Sequence, residues 1–168
     1  MTSERLFPIP VETCWVLDSS AIINFKSMIT PEVQDRILTL LNQLVLQGKI
    51  AFPHQVIREV SGGGQDDLPA IWAVQNSRDL KHPKYPDDNY VKRVSSAVPD
   101  LVERGSTKDE ADPFVLALAL QLKHNDWNAI VVTEDRVDRL PRKRSLKSAC
   151  KIMGVEMIQT VDFLENIG

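Results

Sequence analysis

Two stretches of the chain share one form, an apolar run that stops abruptly at an acid. Cys14-Trp15-Val16-Leu17 leads into Asp18-Ser19-Ser20 and then Ala21-Ile22-Ile23, while Ala129-Ile130-Val131-Val132 leads into Thr133-Glu134-Asp135. A short continuous apolar run with a polar stop suits a strand buried on both faces. Elsewhere the apolar period lengthens. Ile37, Leu40, Leu41, Leu44 and Val45 recur at helical spacing and predict a helix over 30–47 with one apolar face. Thr30 suits its cap, Pro31 its first position and Gly48 its stop. A helix over 21–28 follows the first strand, with Ser19 or Ser20 suited to cap it. A short strand at 49–52 and a helix over 53–60 come next, then helical turns at 69–75 and 87–98. The run from Phe114 to Leu122 is apolar nearly all round, which predicts a buried helix. A helix at 146–153 ending at Gly154, a strand at 155–158 and a helix at 161–166 complete the chain. Strands alternating with helices imply an α/β fold with a mostly parallel sheet and right-handed crossovers.

At 168 residues the chain is long enough for one domain with a real core, and we take 1–168 as a single domain. Residues 61–107, with Ser61-Gly62-Gly63-Gly64 at their start, read as a helical cap or insert over one end of the sheet, with Trp72 in the core. The glycine loop is not a phosphate-binding loop, because no Lys-Ser/Thr pair follows it. An apolar fraction of 43% beside 26% charged residues fits a soluble globular chain rather than a disordered one. No apolar run approaches the ~20 residues of a membrane span, and the first five residues lack the basic and apolar regions of a signal peptide. A cytoplasmic protein is expected, with Cys14 and Cys150 as buried free thiols. His54, His82 and His124 are scattered and form no zinc motif.

Charge is distributed unevenly. The net charge is −3, yet residues 136–151 hold seven bases against the single acid Asp138, so the remainder is strongly acidic. An acidic body with a basic edge suits the holding of a polyanion over an acidic site, although such a run also fits a solvated helix face. Arg142, Lys143 and Arg144 are the candidate contacts to a nucleic-acid backbone.

The strand ends place Asp18 and Asp135 on one edge of a parallel sheet, where open α/β sheets bind ligands. Glu59 and Asp112 lie on helices that could pack beside that edge. Each acid singly has a plainer reading. Asp18 could only cap the next helix, and Glu59 could pair with Arg58 or Arg36. Asp112 could be the N-cap ahead of Pro113, unless Thr107 and Glu110 form a capping box instead. Together on one edge, four carboxylates would repel unless a cation compensates them. Oxygen-only donors favour Mg²⁺ or Mn²⁺, ions that can activate water for attack on a phosphodiester.

Asp18-Ser19-Ser20 after an apolar strand, Glu59 in Val56-Ile57-Arg58-Glu59-Val60, Asp112 before Ala117-Leu118-Ala119, and Thr133-Glu134-Asp135 after Ile130-Val131-Val132 together resemble a PIN domain. The likeness is to VapC-type toxin ribonucleases and related PIN-like proteins, and it spans residues 14–166. It implies a three-layer α/β/α fold and a Mg²⁺- or Mn²⁺-dependent endoribonuclease, the toxin of a type II toxin–antitoxin pair. It also implies an RNA substrate, a protein antitoxin and a homodimer. By the resemblance Asp18, Glu59, Asp112 and Asp135 are the metal ligands and catalytic acids, and Ser20 and Thr133 orient them. Asp109 competes with Asp112 for the third place and Glu134 with Asp135 for the fourth.

Two other classes compete with the nuclease. A haloacid-dehalogenase-like phosphatase needs a second acid two residues after the first, where this chain has Ser20. A non-catalytic PIN fold acting as an RNA-binding or scaffold module would be expected from a broken acidic set, and this set is whole.

Overall fold

The computed structural model describes residues 11–62, 67–103, 105–106 and 110–168. Among them four strands form one all-parallel sheet in the order β2-β1-β3-β4. These are β1 (Thr13–Leu17), β2 (Ile50–Ala51), β3 (Asn128–Val132) and β4 (Glu156–Ile158). Eight helices accompany them: α1 (Ser19–Met28), α2 (Gln34–Leu46), α3 (His54–Ser61), α4 (Leu68–Ser77), α5 (Asp88–Ala97), α6 (Asp112–His124), α7 (Leu146–Met153) and α8 (Thr160–Ile167). A 3₁₀ turn spans Pro99–Leu101. The fold is three-layer α/β/α, as expected. One group of helices is built from α1, α3, α4 and α8, the other from α5, α6 and α7, with α6 lying on β1 and β3.

Burial explains the central strands. Cys14, Val16 and Leu17 of β1 are fully buried, as are Val131 and Val132 of β3. Trp15 packs edge-on against Phe163 of α8 at 5.5 Å. On α6, Val115 through Ala119 are all fully buried, which is why that helix is apolar nearly all round.

Several helix starts differ from expectation. Pro31 to Val33 form a turn closed by the Val33 N–H to the Thr30 carbonyl, so α2 begins at Gln34 rather than beside Pro31. The α2 stop is as expected: Gly48 has φ +72°, and the Lys49 N–H reaches the Leu44 carbonyl at 2.8 Å. A left-handed residue favours glycine because it lacks the Cβ that clashes there. Gly154, at φ +71°, ends α7 by the same device.

In the middle segment α4 packs on α1 and α3, and α5 packs on α6. Trp72 is the reason for the first contact. It is 3% exposed, lies edge-on to Phe25, and donates its indole N–H to Asn42 at 3.0 Å. Gly63 and Gly64 of the expected loop, with Thr107 and Asp109, lie outside the described residues.

Candidate functional site

The chain leaves β1 toward β2 on one side and later returns to place β3 on the other. The switch point is therefore between β1 and β3, and the crevice at their carboxyl ends is where such sheets bind ligands. Leu17 pairs with Val132, so Asp18 and Thr133 leave the sheet side by side.

Asp18 is 3% exposed, and its Oδ2 accepts hydrogen bonds from the Ser20 and Thr133 hydroxyls, each at 2.8 Å. Those hydroxyls are themselves fixed. Ser20 Oγ accepts the Glu134 N–H at 2.9 Å and Thr133 Oγ1 accepts the Asp135 N–H at 3.0 Å. Burial pushes the Asp18 carboxyl above its ordinary range, and the two hydroxyls oppose that shift. Asp18 does stand at the N-cap position of α1, but its side chain makes no capping bond, and Ser19 and Ser20 lie inside the helix. The simple capping reading of Asp18 does not hold, nor does the expectation that a serine caps this helix.

Asp112 is the first residue of α6, with Ala111 at the N-cap and Pro113 next, so Asp112 is not the cap, and Thr107 of the alternative capping box lies outside the described residues. Its side chain is free of the helix end and is 12% exposed. Burial, then the charge of Asp18, raise its pKa to about 7, against the opposing effect of Lys143. Lys143 Nζ donates to Asp112 Oδ2 at 2.7 Å and stands 3.5 Å from Asp135 Oδ2. That Asp135 oxygen also accepts the Leu146 N–H at the start of α7, at 3.0 Å. Burial works against the Lys143 ammonium, but Asp112, Asp135 and Glu110 outweigh it and hold its pKa up.

Glu59 stands on α3 as an exposed residue at the rim, its Oε1 accepting from the Ser19 hydroxyl at 2.8 Å. Partial shielding of its carboxyl raises its pKa, and the Ser19 bond lowers it. Among the described residues it has no arginine partner. Glu134 turns away from the others, accepting from the Asn24 amide and the Thr160 N–H, each at 3.2 Å. Of the two neighbouring acids, Asp135 is the one that joins Asp112 and Lys143.

The basic segment is not a free cationic strip. Arg142 pairs with Glu103 and Arg144 with Asp100, both at 2.9 Å, while Lys143 turns inward to the acids. Ser19 and Lys143 are the site members whose roles the sequence does not announce. The inward turn of Lys143 follows from a tight loop, in which Arg139 and Lys143 exchange backbone hydrogen bonds of 2.8 and 3.1 Å. Asp138, the one acid of the run, holds the loop's far end by accepting from Ser145 N–H and Ser148 Oγ, both at 2.9 Å.

The donor set of Asp18, Asp112 and Asp135 is all oxygen and suits Mg²⁺ or Mn²⁺ in kind. One cation, the Lys143 ammonium, already stands between the Asp112 and Asp135 oxygens. Among the described residues, no three His, Cys, Asp or Glu side chains are close enough together to share one metal ion. The chemistry of the donors fits the ion, and Asp112 and Asp135 are spaced as partners of an ammonium.

Fold and site define an α/β protein with a buried carboxylate at its switch point and two more beside it. Residues 15–168 match the domain of unknown function DUF4411, and the chain belongs to that family. No curated protein matches it. Among solved structures it is similar to the crystal structure of PAE2754 from Pyrobaculum aerophilum, at 17% identity and a TM-score of 0.48, over 94% of this chain and 98% of that one.

Proposed function

We propose that this protein is a Mg²⁺- or Mn²⁺-dependent endoribonuclease of PIN type that hydrolyses RNA phosphodiester bonds. The single observation that carries the reading is Asp18, a carboxylate buried at the switch point and held by two hydroxyls, with Asp112 and Asp135 beside it. Burying an acid at a strand end costs stability, and such groups concentrate at functional sites. When bound, a divalent ion supplies activation of water and neutralisation of charge on the phosphate. Asp18, Asp112 and Asp135 would hold it, with Glu59 at the rim. Ser20 and Thr133 fix the Asp18 carboxylate, and Ser19 fixes Glu59. The basic segment 136–151 would meet the RNA backbone.

By its resemblance to VapC-type proteins, the chain is the cytoplasmic toxin of a toxin–antitoxin pair, a homodimer restrained by a protein antitoxin. Cleavage of a mixed RNA by the purified protein, with EDTA, Mg²⁺ or Mn²⁺ and beside Asp18→Asn, tests the nuclease. Metal-dependent cleavage lost in the variant is expected, and equal cleavage by the variant overturns the proposal. One observation favours a second reading, a non-catalytic RNA-binding module: no three carboxylates are gathered at metal distance among the described residues. Tight RNA binding without Mn²⁺ binding would select it.

A further inference from the structure

We propose that Lys143 is a built-in occupant of the acidic site, and that a divalent cation binds there by displacing its ammonium. The inference rests on the metal-dependent reading above and adds a regulation of that same site.

Lys143 carries the only ammonium within salt-bridge reach of Asp112 and Asp135 among the described residues. Its side chain is 13% exposed, so the contact is shielded from solvent rather than an exposed ion pair. The two separations, 2.7 and 3.5 Å, are those of an ammonium between carboxylates. Mg²⁺ needs oxygens at ~2.0–2.1 Å, much closer than an ammonium allows. Asp112 and Asp135 thus stand at the spacing of an ammonium contact rather than at that of oxygens shared by one metal ion.

Charge favours exchange. Asp112 and Asp135 face one positive charge, and Asp18 and, at the rim, Glu59 add further acids nearby. A divalent ion in the same place doubles the compensating charge and draws the oxygens inward. The backbone need not move for this to happen. Arg139 and Lys143 hold each other by two backbone hydrogen bonds, and the Arg144 N–H donates to the Asp100 carbonyl at 2.7 Å. The four-carbon stem of Lys143 can swing out while its Cα stays in place. In this arrangement the metal-free protein is self-neutralised, and metal occupancy depends on competition between two cations.

The test is Mn²⁺ titration calorimetry on wild type, Lys143→Met and Lys143→Arg, at matched pH. Removing a resident positive charge should tighten Mn²⁺ binding by about tenfold or more in Lys143→Met, and Lys143→Arg should stay near wild type or bind more weakly. Equal or weaker binding by Lys143→Met overturns the exchange while leaving the metal site intact. Absence of Mn²⁺ binding in all three proteins overturns both the exchange and the metal-dependent reading. A second measurement on wild type avoids any folding defect of the variant. The shielded Lys143 ammonium should give its own ¹⁵N–¹H resonance in EDTA and lose it when Mg²⁺ is added. A resonance that persists while Mg²⁺ raises the melting temperature overturns the exchange.

Discussion

Thr133 Oγ1 donates to Asp18 Oδ2 at 2.8 Å and at the same time accepts the Asp135 N–H at 3.0 Å. One fully buried hydroxyl thus joins the ends of the two central strands and sets the position of two acids. Thr133→Val keeps the shape but removes both bonds, leaving a buried carboxylate and an N–H without this partner. We expect a loss of about 1–3 kcal/mol in urea denaturation, and RNA cleavage weakened beyond what the lost stability explains. A variant as stable and as active as wild type would remove Thr133 from the site.

Asp18→Asn separates fold from chemistry. The Asp18 carboxylate is pushed up by burial, so replacing it with a neutral amide relieves a desolvation cost. The melting temperature in EDTA should hold or rise, while cleavage falls by about 100-fold or more, as loss of a metal-binding carboxylate would cause. A clear drop in melting temperature would assign Asp18 to structure rather than to chemistry.

The Asp112 carboxyl is raised to about 7 by burial and by Asp18, against ~4 in an unfolded chain. The folded protein thus keeps a proton that the unfolded chain has released over that interval. Its contribution to stability is complete below about pH 4 and is lost as pH rises toward about 7. The metal-free denaturation midpoint should fall across this window in EDTA, and Asp112→Asn should flatten the fall. An identical slope in the variant would locate the titration elsewhere.

Metal should substitute for that proton and for the Lys143 ammonium. Saturating Mn²⁺ should raise the melting temperature, by an amount equivalent to about 3 kcal/mol at 100 times the dissociation constant. EDTA should reverse it, and Asp18→Asn should abolish it. A Mn²⁺ effect of the same size in that variant would place the ion at another site.

RNA contact should depend more on the outward cations of the basic segment than on the paired ones. Arg136 and Arg139 are exposed, and among the described residues neither has a carboxylate within salt-bridge reach, whereas Arg142 and Arg144 do. In Asp18→Asn protein, neutralising Arg136 and Arg139 should weaken RNA binding and lower the salt slope by about 1 per contact. Neutralising Arg142 and Arg144 should change the slope less. Fluorescence anisotropy over a range of salt concentrations distinguishes these outcomes.

Much of the fold was legible because its signals are local. Unbroken apolar runs ending at Asp18 and Thr133 marked strands buried on both faces, and Gly48 and Gly154 marked helix ends by their left-handed backbone. The convergence of Asp18 and Asp135 also followed from sequence, since parallel strands must end on the same edge. Helix starts were less legible. A cap is chosen by a few hydrogen bonds of similar energy: a tertiary contact draws Asp112 to Lys143, and a local bond from the Val33 N–H to the Thr30 carbonyl leaves Pro31 to Val33 as a turn. The choice between Glu134 and Asp135 needed the neighbours Asn24, Thr160 and Leu146, which lie far away along the chain. Lys143 shows the limit most plainly. Its sequence context is a run of bases that reads as one cationic strip, and only the backbone pairing with Arg139 turns it inward while Arg142 faces out. Sequence determined which residue types were present and which strand ends would meet; the third dimension decided which charges face one another, because electrostatic partners are set by distance in space rather than along the chain.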